Sequence, residues 1–196
     1  MRDAYYADNR DIVKWGVLLH IAREFDLARI LQVAYLRGSE WGDLEVDGRR
    51  IPLPHEVVAH FRDVRDVARM TDRPHIDVLA EPYGDREEYA QLVRERILER
   101  VPGEKRLVFL DPDTGLQPAH SKPEHVLESE LRATWDAMLP GDVLAFYQHQ
   151  TNRDNEPWIE PKRVQFESAL GLKPGTAKVA HGRTIARDVA FFYCAR

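Results

Sequence analysis

The chain has 196 residues, a formal net charge of −5, 43% hydrophobic and 31% charged residues, and one cysteine. That length suits a single domain with a sizeable core. No apolar stretch reaches the roughly 20 residues of a membrane span, and a lone cysteine excludes an intrachain disulfide or a cysteine zinc cluster.

The first ten residues are too polar for a signal peptide, so a cytoplasmic protein is expected. Charge is uneven: residues 150–196 hold eight Lys/Arg against five Asp/Glu, whereas residues 1–149 hold 20 against 28. Such asymmetry is compatible with a polyanion held on one face. It is unlike the strongly basic balance of a nucleic-acid-coating protein.

In chain order, Asn9 or Asp11 caps a first helix running to about Glu24, with Ile12, Trp15, Leu19 and Ala22 on one face. Arg29 to Leu36 is the first strand. The polar stretch 37–54 places Asp47-Gly48 between short apolar pairs, which predicts a hairpin or flap. A second helix is expected over about 55–69, a strand at His75–Ala80 and a charged helix from Arg86 to Arg100. Leu107–Leu110 is a buried strand. A helix from Glu124 to Met138 is stopped by Pro140-Gly141, and Val143–Tyr147 is the next strand. A helix at about 161–170 precedes two closing strands, Ala177–Ala180 and Val189–Cys194, with Cys194 a small buried hydrophobe.

Strands alternating with helices imply crossover connections and a mostly parallel sheet. The last two strands are joined too briefly for a helical crossover and should pair antiparallel. The expected fold is α/β, Rossmann-like in its methyltransferase-like variant, with helices on both faces and a C-terminal antiparallel hairpin. One domain spans 1–196, with the flap as an insertion.

The segment Arg106-Leu-Val-Phe-Leu-Asp-Pro-Asp-Thr-Gly-Leu116 carries the strongest chemical signal. An apolar strand ends in two carboxylates, Asp111 and Asp113, with Pro112 and Gly115 turning the chain. Ligands of open α/β sheets bind beyond the carboxyl ends of the strands. Asp111 would there activate water or support a developing cation. Asp113, close by, would tune it by repulsion. The plainer explanation is a capping or turn role for Asp111.

Gln148-His149-Gln150 follows the strand that ends at Tyr147, and these polar groups suit reading a base edge or sugar hydroxyls. Asn152, Arg153, Asn155 and Trp158 extend that loop. Loop exposure alone would also select them. Lys162 and Arg163 should face solvent or a phosphate, and Glu81 and Tyr83 fall on the same rim.

Tyr5-Tyr-Ala-Asp-Asn-Arg-Asp-Ile-Val-Lys-Trp15 resembles the opening of bacterial adenine-N6 methyltransferases acting on large-subunit ribosomal RNA. That family places Asp-Pro-Pro-Tyr where Asp111-Pro-Asp-Thr114 stands here. The stacking aromatic of the turn is missing, and Tyr35-Leu-Arg-Gly-Ser39 lacks the Gly-rich S-adenosylmethionine loop. Asp111-Pro-Asp-Thr-Gly115 also resembles the first motif of the uracil-DNA glycosylase superfamily, whose second motif carries a His as His149 would be. The spacing here is shorter, and Gln-Thr-Asn replaces Pro-Ser-Pro.

Three blocks are similar to a group of small bacterial and phage-associated proteins: Tyr6 to Trp15, Phe109 to Leu116, and Tyr147 to His149. That resemblance implies a relation to phage-defence DNA glycosylases that remove glucosylated hydroxymethylcytosine.

The expected activity is therefore hydrolysis of the N-glycosidic bond of a modified base flipped out of DNA, with no cofactor and no metal. Asp111, Asp113 and His149 are the expected catalytic groups. Tyr6, Asp8, Asn9, Asp11 and Lys14 would form one wall of the substrate pocket, and Thr114, Gln148, Gln150, Arg153 and Trp158 the other. Capping explains one of Asp8 and Asn9, and a surface charge and a core aromatic are the plainer explanation of Lys14 and Trp15. Two alternatives remain open: S-adenosylmethionine-dependent adenine-N6 methylation, and a non-catalytic nucleotide- or partner-binding module. Asp111, Asp113 and His149 are also donors for Mg²⁺ or Mn²⁺, as in haloacid-dehalogenase-type phosphatases, but Gly115 stands where those enzymes want Thr. No zinc-deaminase pattern or Gly-x-Ser-x-Gly elbow is present.

Overall fold

A computed structural model describes residues 8–37, 44–54, 56–57, 63–150, 157–182 and 184–196. Its main sheet has six strands: β1 (Arg29–Val33), β4 (His75–Leu79), β5 (Arg106–Leu110), β8 (Val143–His149), β9 (Lys178–His181) and β10 (Val189–Ala195). They lie in the order β4-β1-β5-β8-β10-β9. β4, β1, β5 and β8 are mutually parallel. β10 runs antiparallel to both β8 and β9. The last strand thus slips between its predecessor and the parallel set, the methyltransferase-like variant of the Rossmann-like α/β plan.

Helices cover both faces because the strands are apolar on both sides. Against one face pack Trp15, Leu18, Ile21 and Ala22 of α1 (Asn9–Glu24) and Val64 and Val67 of a 3₁₀ helix (Val64–Arg69). They meet Ile30, Leu107, Phe109, Val143, Ala145, Tyr147 and Phe191. On the other face α2 (Arg86–Leu98), α3 (Glu128–Ala137) and α4 (Ile159–Leu170) cover Leu31, Val33, Val108, Leu110, Leu144, Phe146 and Phe192. Alternation along each strand assigns the faces.

Several expected elements are corrected. The α1 cap is Asp8, not Asn9 or Asp11; its carboxylate accepts from the backbone N–H groups of Arg10 at 2.7 Å and Asp11 at 3.1 Å. The buried stripe of α1 runs through Asp11, Lys14, Trp15, Leu18, Ile21 and Ala22, and Ile12 is 61% exposed. The stripe is rotated because its first turn buries two charges instead of apolar groups. Of the helix expected over 55–69, the described part is the 3₁₀ helix; the rest lies outside the described residues. The helix expected from Glu124 starts at Glu128, because His125–Val126 (β7) pairs in parallel with Gly115–Leu116 (β6). In the flap, Leu44–Val46 (β2) and Arg49–Ile51 (β3) form the expected hairpin, with Asp47 and Gly48 at positive φ.

No helix among the described residues is long and apolar enough to cross a membrane. At the amino ends of the strands, Asp142 is fully buried and accepts from Arg100 at 2.7 and 3.0 Å and from the backbone of Arg106 and Leu139. This anchor ties that end of the sheet together.

Strand order reverses direction at β1: the chain goes outward to β4, then returns to β5 on the opposite side. The carboxyl ends of β1 and β5 therefore flank the topological switch point, where ligands bind in such sheets.

Candidate functional site

Asp111 stands one residue past β5, on the α1 face by alternation from Phe109. Its side chain is 2% exposed, and Oδ2 accepts from Lys14 Nζ at 2.9 Å and from Gln32 Nε2 at 2.8 Å. Lys14 also donates to Asp11 Oδ1 at 2.7 Å and sits 5.4 Å from the centre of the Tyr147 ring. A helix, two parallel strands and the third strand's end thus converge on one buried ammonium–carboxylate group. Burial alone lowers the Lys14 pKa and is the largest single effect, but Asp111 and Asp11 outweigh it and hold the value above that of ordinary lysine. Lys14 therefore stays an ammonium at neutral pH.

A second network borders the first. His149 is about one-third exposed; its Nε2 lies 3.0 Å from Asp188 Oδ2, and its Nδ1 lies 3.1 Å from the Gln150 carbonyl oxygen. Arg10 donates to the same Asp188 oxygen through Nη2 at 2.6 Å and Nε at 3.2 Å, and pairs with Asp8 at 3.3 Å. Burial pushes the Asp188 pKa up, but the Arg10 hydrogen bond, its own backbone and the charges of Arg10 and His149 together bring it below the usual aspartate value. The Tyr147 ring lies against Lys14 of the first network, and charges of both networks, Asp111, Arg10, Asp188 and Asp8, act on its hydroxyl.

The turn after Asp111 is built around Gln148, which is fully buried. Its Oε1 accepts from Leu116 N at 2.9 Å, and its Nε2 donates to the Thr114 and His149 carbonyls at 3.2 and 2.7 Å. Gly115, at φ +119°, leaves the space: a Cβ there would come within 2.4 Å of the Gln148 amide. The Thr114 hydroxyl donates to the Glu124 carbonyl at 2.9 Å. Expected as substrate contacts, Gln148 and Thr114 spend these groups on closing the turn. Asp113 does not share Asp111's cation; it faces Arg37 at 3.6 Å, beside Glu124 at 3.8 Å from the same guanidinium.

Of the other expected residues, Asn9 is exposed at the start of α1. Gln150 donates its N–H to the Asp188 carbonyl at 2.7 Å. Trp158 is half-buried before α4 and packs on the core. Lys162 and Arg163 do not simply face solvent: Lys162 donates to Leu116 O and Gln165, and Arg163 pairs with Glu160 and Glu167. Tyr6, Asn152, Arg153 and Asn155 lie outside the described residues.

Directly beyond β1 the described residues pack against the end of β4. Leu36 bridges to Pro82, Tyr83 N donates to Leu36 O at 2.7 Å, and the rings of Tyr35, Tyr83 and Tyr89 pack with centres 5.0–5.4 Å apart. The ends of β1 and β4 are closed against each other by that cluster. Glu81 is exposed beside it.

Four members of the site carry no expected role in the sequence: Gln32, Arg10, Tyr147 and Asp188. Gln32 leaves a legible trace, a lone amide inside the apolar run Ile30-Leu-Gln-Val-Ala34, since a polar group there must find a buried partner. Asp188 leaves none, because its distance from Arg10 in sequence hides the pairing. No protein-family model matches the chain, and no curated protein matches it. Function has to be read from the site itself.

Proposed function

We propose that this chain is an enzyme acting on a nucleobase in DNA, hydrolysing the N-glycosidic bond of a modified base and leaving an abasic site. The observation that carries the reading is the Lys14–Asp111 pair, buried with Gln32 at the switch point of the sheet. Buried ion pairs are poor sources of stability, because desolvating two charges offsets their attraction. An ion pair kept where ligands bind in this fold is better accounted for by chemistry.

In this reading the flipped nucleotide enters over the rim formed by Asp8, Arg10, His149 and Asp188, which are about one-third to two-fifths exposed. The Asp111 carboxylate supports the positive charge that grows on the sugar as the bond to the base stretches, and orients the attacking water. Lys14 and Gln32 fix the direction of that carboxylate. Resemblance of the three sequence blocks to phage-associated proteins supports a modified base, such as glucosylated hydroxymethylcytosine, as the substrate and antiviral defence as the setting.

The test incubates the protein with unmodified, uracil-containing and phage-modified DNA and looks for alkali-labile sites. Wild type should generate them on at least one substrate, and Asp111→Asn should slow release by about 10² or more while its circular dichroism stays native. Absence of such sites on every substrate rules the proposal out.

The strand order favours a second reading, methyl transfer from S-adenosylmethionine to adenine N6. The sequence Tyr35-Leu-Arg-Gly-Ser39, which lacks the Gly-rich loop of such a cofactor site, speaks against it. Calorimetric titration with S-adenosylmethionine separates the two: saturable micromolar binding supports methyl transfer. A module that only binds a nucleotide or partner predicts instead that Asp111→Asn leaves every biological effect intact.

A further inference from the structure

We infer that the Tyr147 hydroxyl is the group that hydrogen-bonds the departing base. This rests on the base-releasing reading above and deepens it by assigning its leaving-group contact.

Glycosidic hydrolysis needs a donor on the base as well as a carboxylate near the sugar. Sequence offers Gln148 and His149 for that task, but both are engaged elsewhere. Successive residues of β8 point to opposite faces. Gln148 points away from α1, and both ends of its amide are used on the Thr114–Leu116 turn. His149 has one ring nitrogen against Asp188 and the other against the Gln150 carbonyl.

Tyr147 lies on the same face as Lys14 and Asp111. Its ring is fixed edge-on to Phe191 at 5.8 Å, with the Lys14 ammonium 5.4 Å from its centre. The charges of Asp111, Arg10, Asp188 and Asp8 all act on its hydroxyl. Among the described residues no group hydrogen-bonds that hydroxyl. A donor placed among charges and left without a partner is available to a ligand. Burial first, and the Asp111 charge next, push its pKa well above that of ordinary tyrosine, so it remains a neutral donor throughout the working pH range.

The step balances as a hydrolysis. The C1′–N bond breaks with its electron pair going to the base, whose growing negative charge accepts the Tyr147 O–H hydrogen bond. Water oxygen bonds to C1′, and the proton it sheds passes to the Asp111 carboxylate and on to solvent. The base takes a proton from solvent once released, giving free base and an abasic deoxyribose.

Tyr147→Phe removes one oxygen while keeping the ring against Phe191 and Lys14, and an unchanged denaturation midpoint checks the fold. Single-turnover release is measured on phage-modified, uracil and 5-fluorouracil duplexes, with equilibrium DNA binding measured in parallel. On whichever base wild type releases, the variant should be slower by about 10² with DNA binding unchanged. Where both uracils are substrates, the deficit should shrink on the fluorinated base, which leaves more readily. A Tyr147→Phe rate within about threefold of wild type, or a loss that resides in DNA binding, overturns the assignment while sparing the base-releasing reading. A wild type that releases no base removes both.

Discussion

Replacing Lys14 by Met tests whether the buried cluster is as charged and as coupled as its geometry says. Lys14 Nζ carries two ion pairs, 2.7 Å to Asp11 and 2.9 Å to Asp111, with side chains 2–7% exposed. Removing the cation leaves two buried carboxylates facing an apolar thioether. Stripping one partner from a buried pair costs roughly 3–5 kcal/mol, because the remaining charge has lost its compensation. About 4 kcal/mol is expected here, a fall of roughly 8–16 °C in the melting temperature for a chain this long.

Combining Lys14→Met with Asp111→Leu should recover stability to within about 2 kcal/mol of wild type. The remaining Asp11 keeps the favourable positive end of α1 beside it. Urea denaturation of the four proteins in the cycle gives the coupling directly. The pH dependence has a definite sign. A Lys14 pKa held above its ordinary 10.5 means that the pair's contribution is whole below that value and drains away as pH climbs through the folded one. The gap between wild type and Lys14→Met should therefore stay constant from about pH 6 to 9 and narrow only in alkali. A single variant that loses less than about 1 kcal/mol, or a double variant no more stable than the single one, would show that the pair is not the buried unit described.

Gly115→Ala should destabilise by about 3 kcal/mol, since its φ of +119° excludes a side chain and the new Cβ would displace the bonded Gln148 amide; thermal denaturation reads this, and a change under about 1 kcal/mol would mean the turn yields freely. Asp188→Asn should weaken the protein at neutral pH and make little difference in acid. The depressed carboxylate contributes above the ordinary aspartate value of 3.8 and loses that contribution as pH falls through its folded value. Denaturation at neutral and acidic pH compares the two, and an equal deficit at both would contradict the Arg10–Asp188 bond.

Local pattern determined a good deal of this protein. Uninterrupted apolar runs such as Leu107–Leu110 and Val143–Tyr147 marked strands buried on both faces, and their alternation with helices implied a parallel sheet, because period and hydrophobicity are properties of neighbouring residues. The Asp111-Pro-Asp-Thr-Gly115 turn was likewise legible, as glycine and proline constrain their own backbone.

What local pattern could not supply was which distant side chains meet. The charged stripe at the head of α1 read as the wall of a pocket or, for Lys14, as a surface charge. It is buried because Asp111, 97 positions beyond Lys14, supplies the matching charge. The two carboxylates of the turn looked like a pair, yet the turn through Pro112 leaves Asp111 against Lys14 and Asp113 against Arg37. His149 and Gln148 looked like free polar groups; Asp188 and the Gly115 turn take them up. Only the folded sheet decides such matters, since burial makes a lone charge untenable and the partner that rescues it is chosen by position in space.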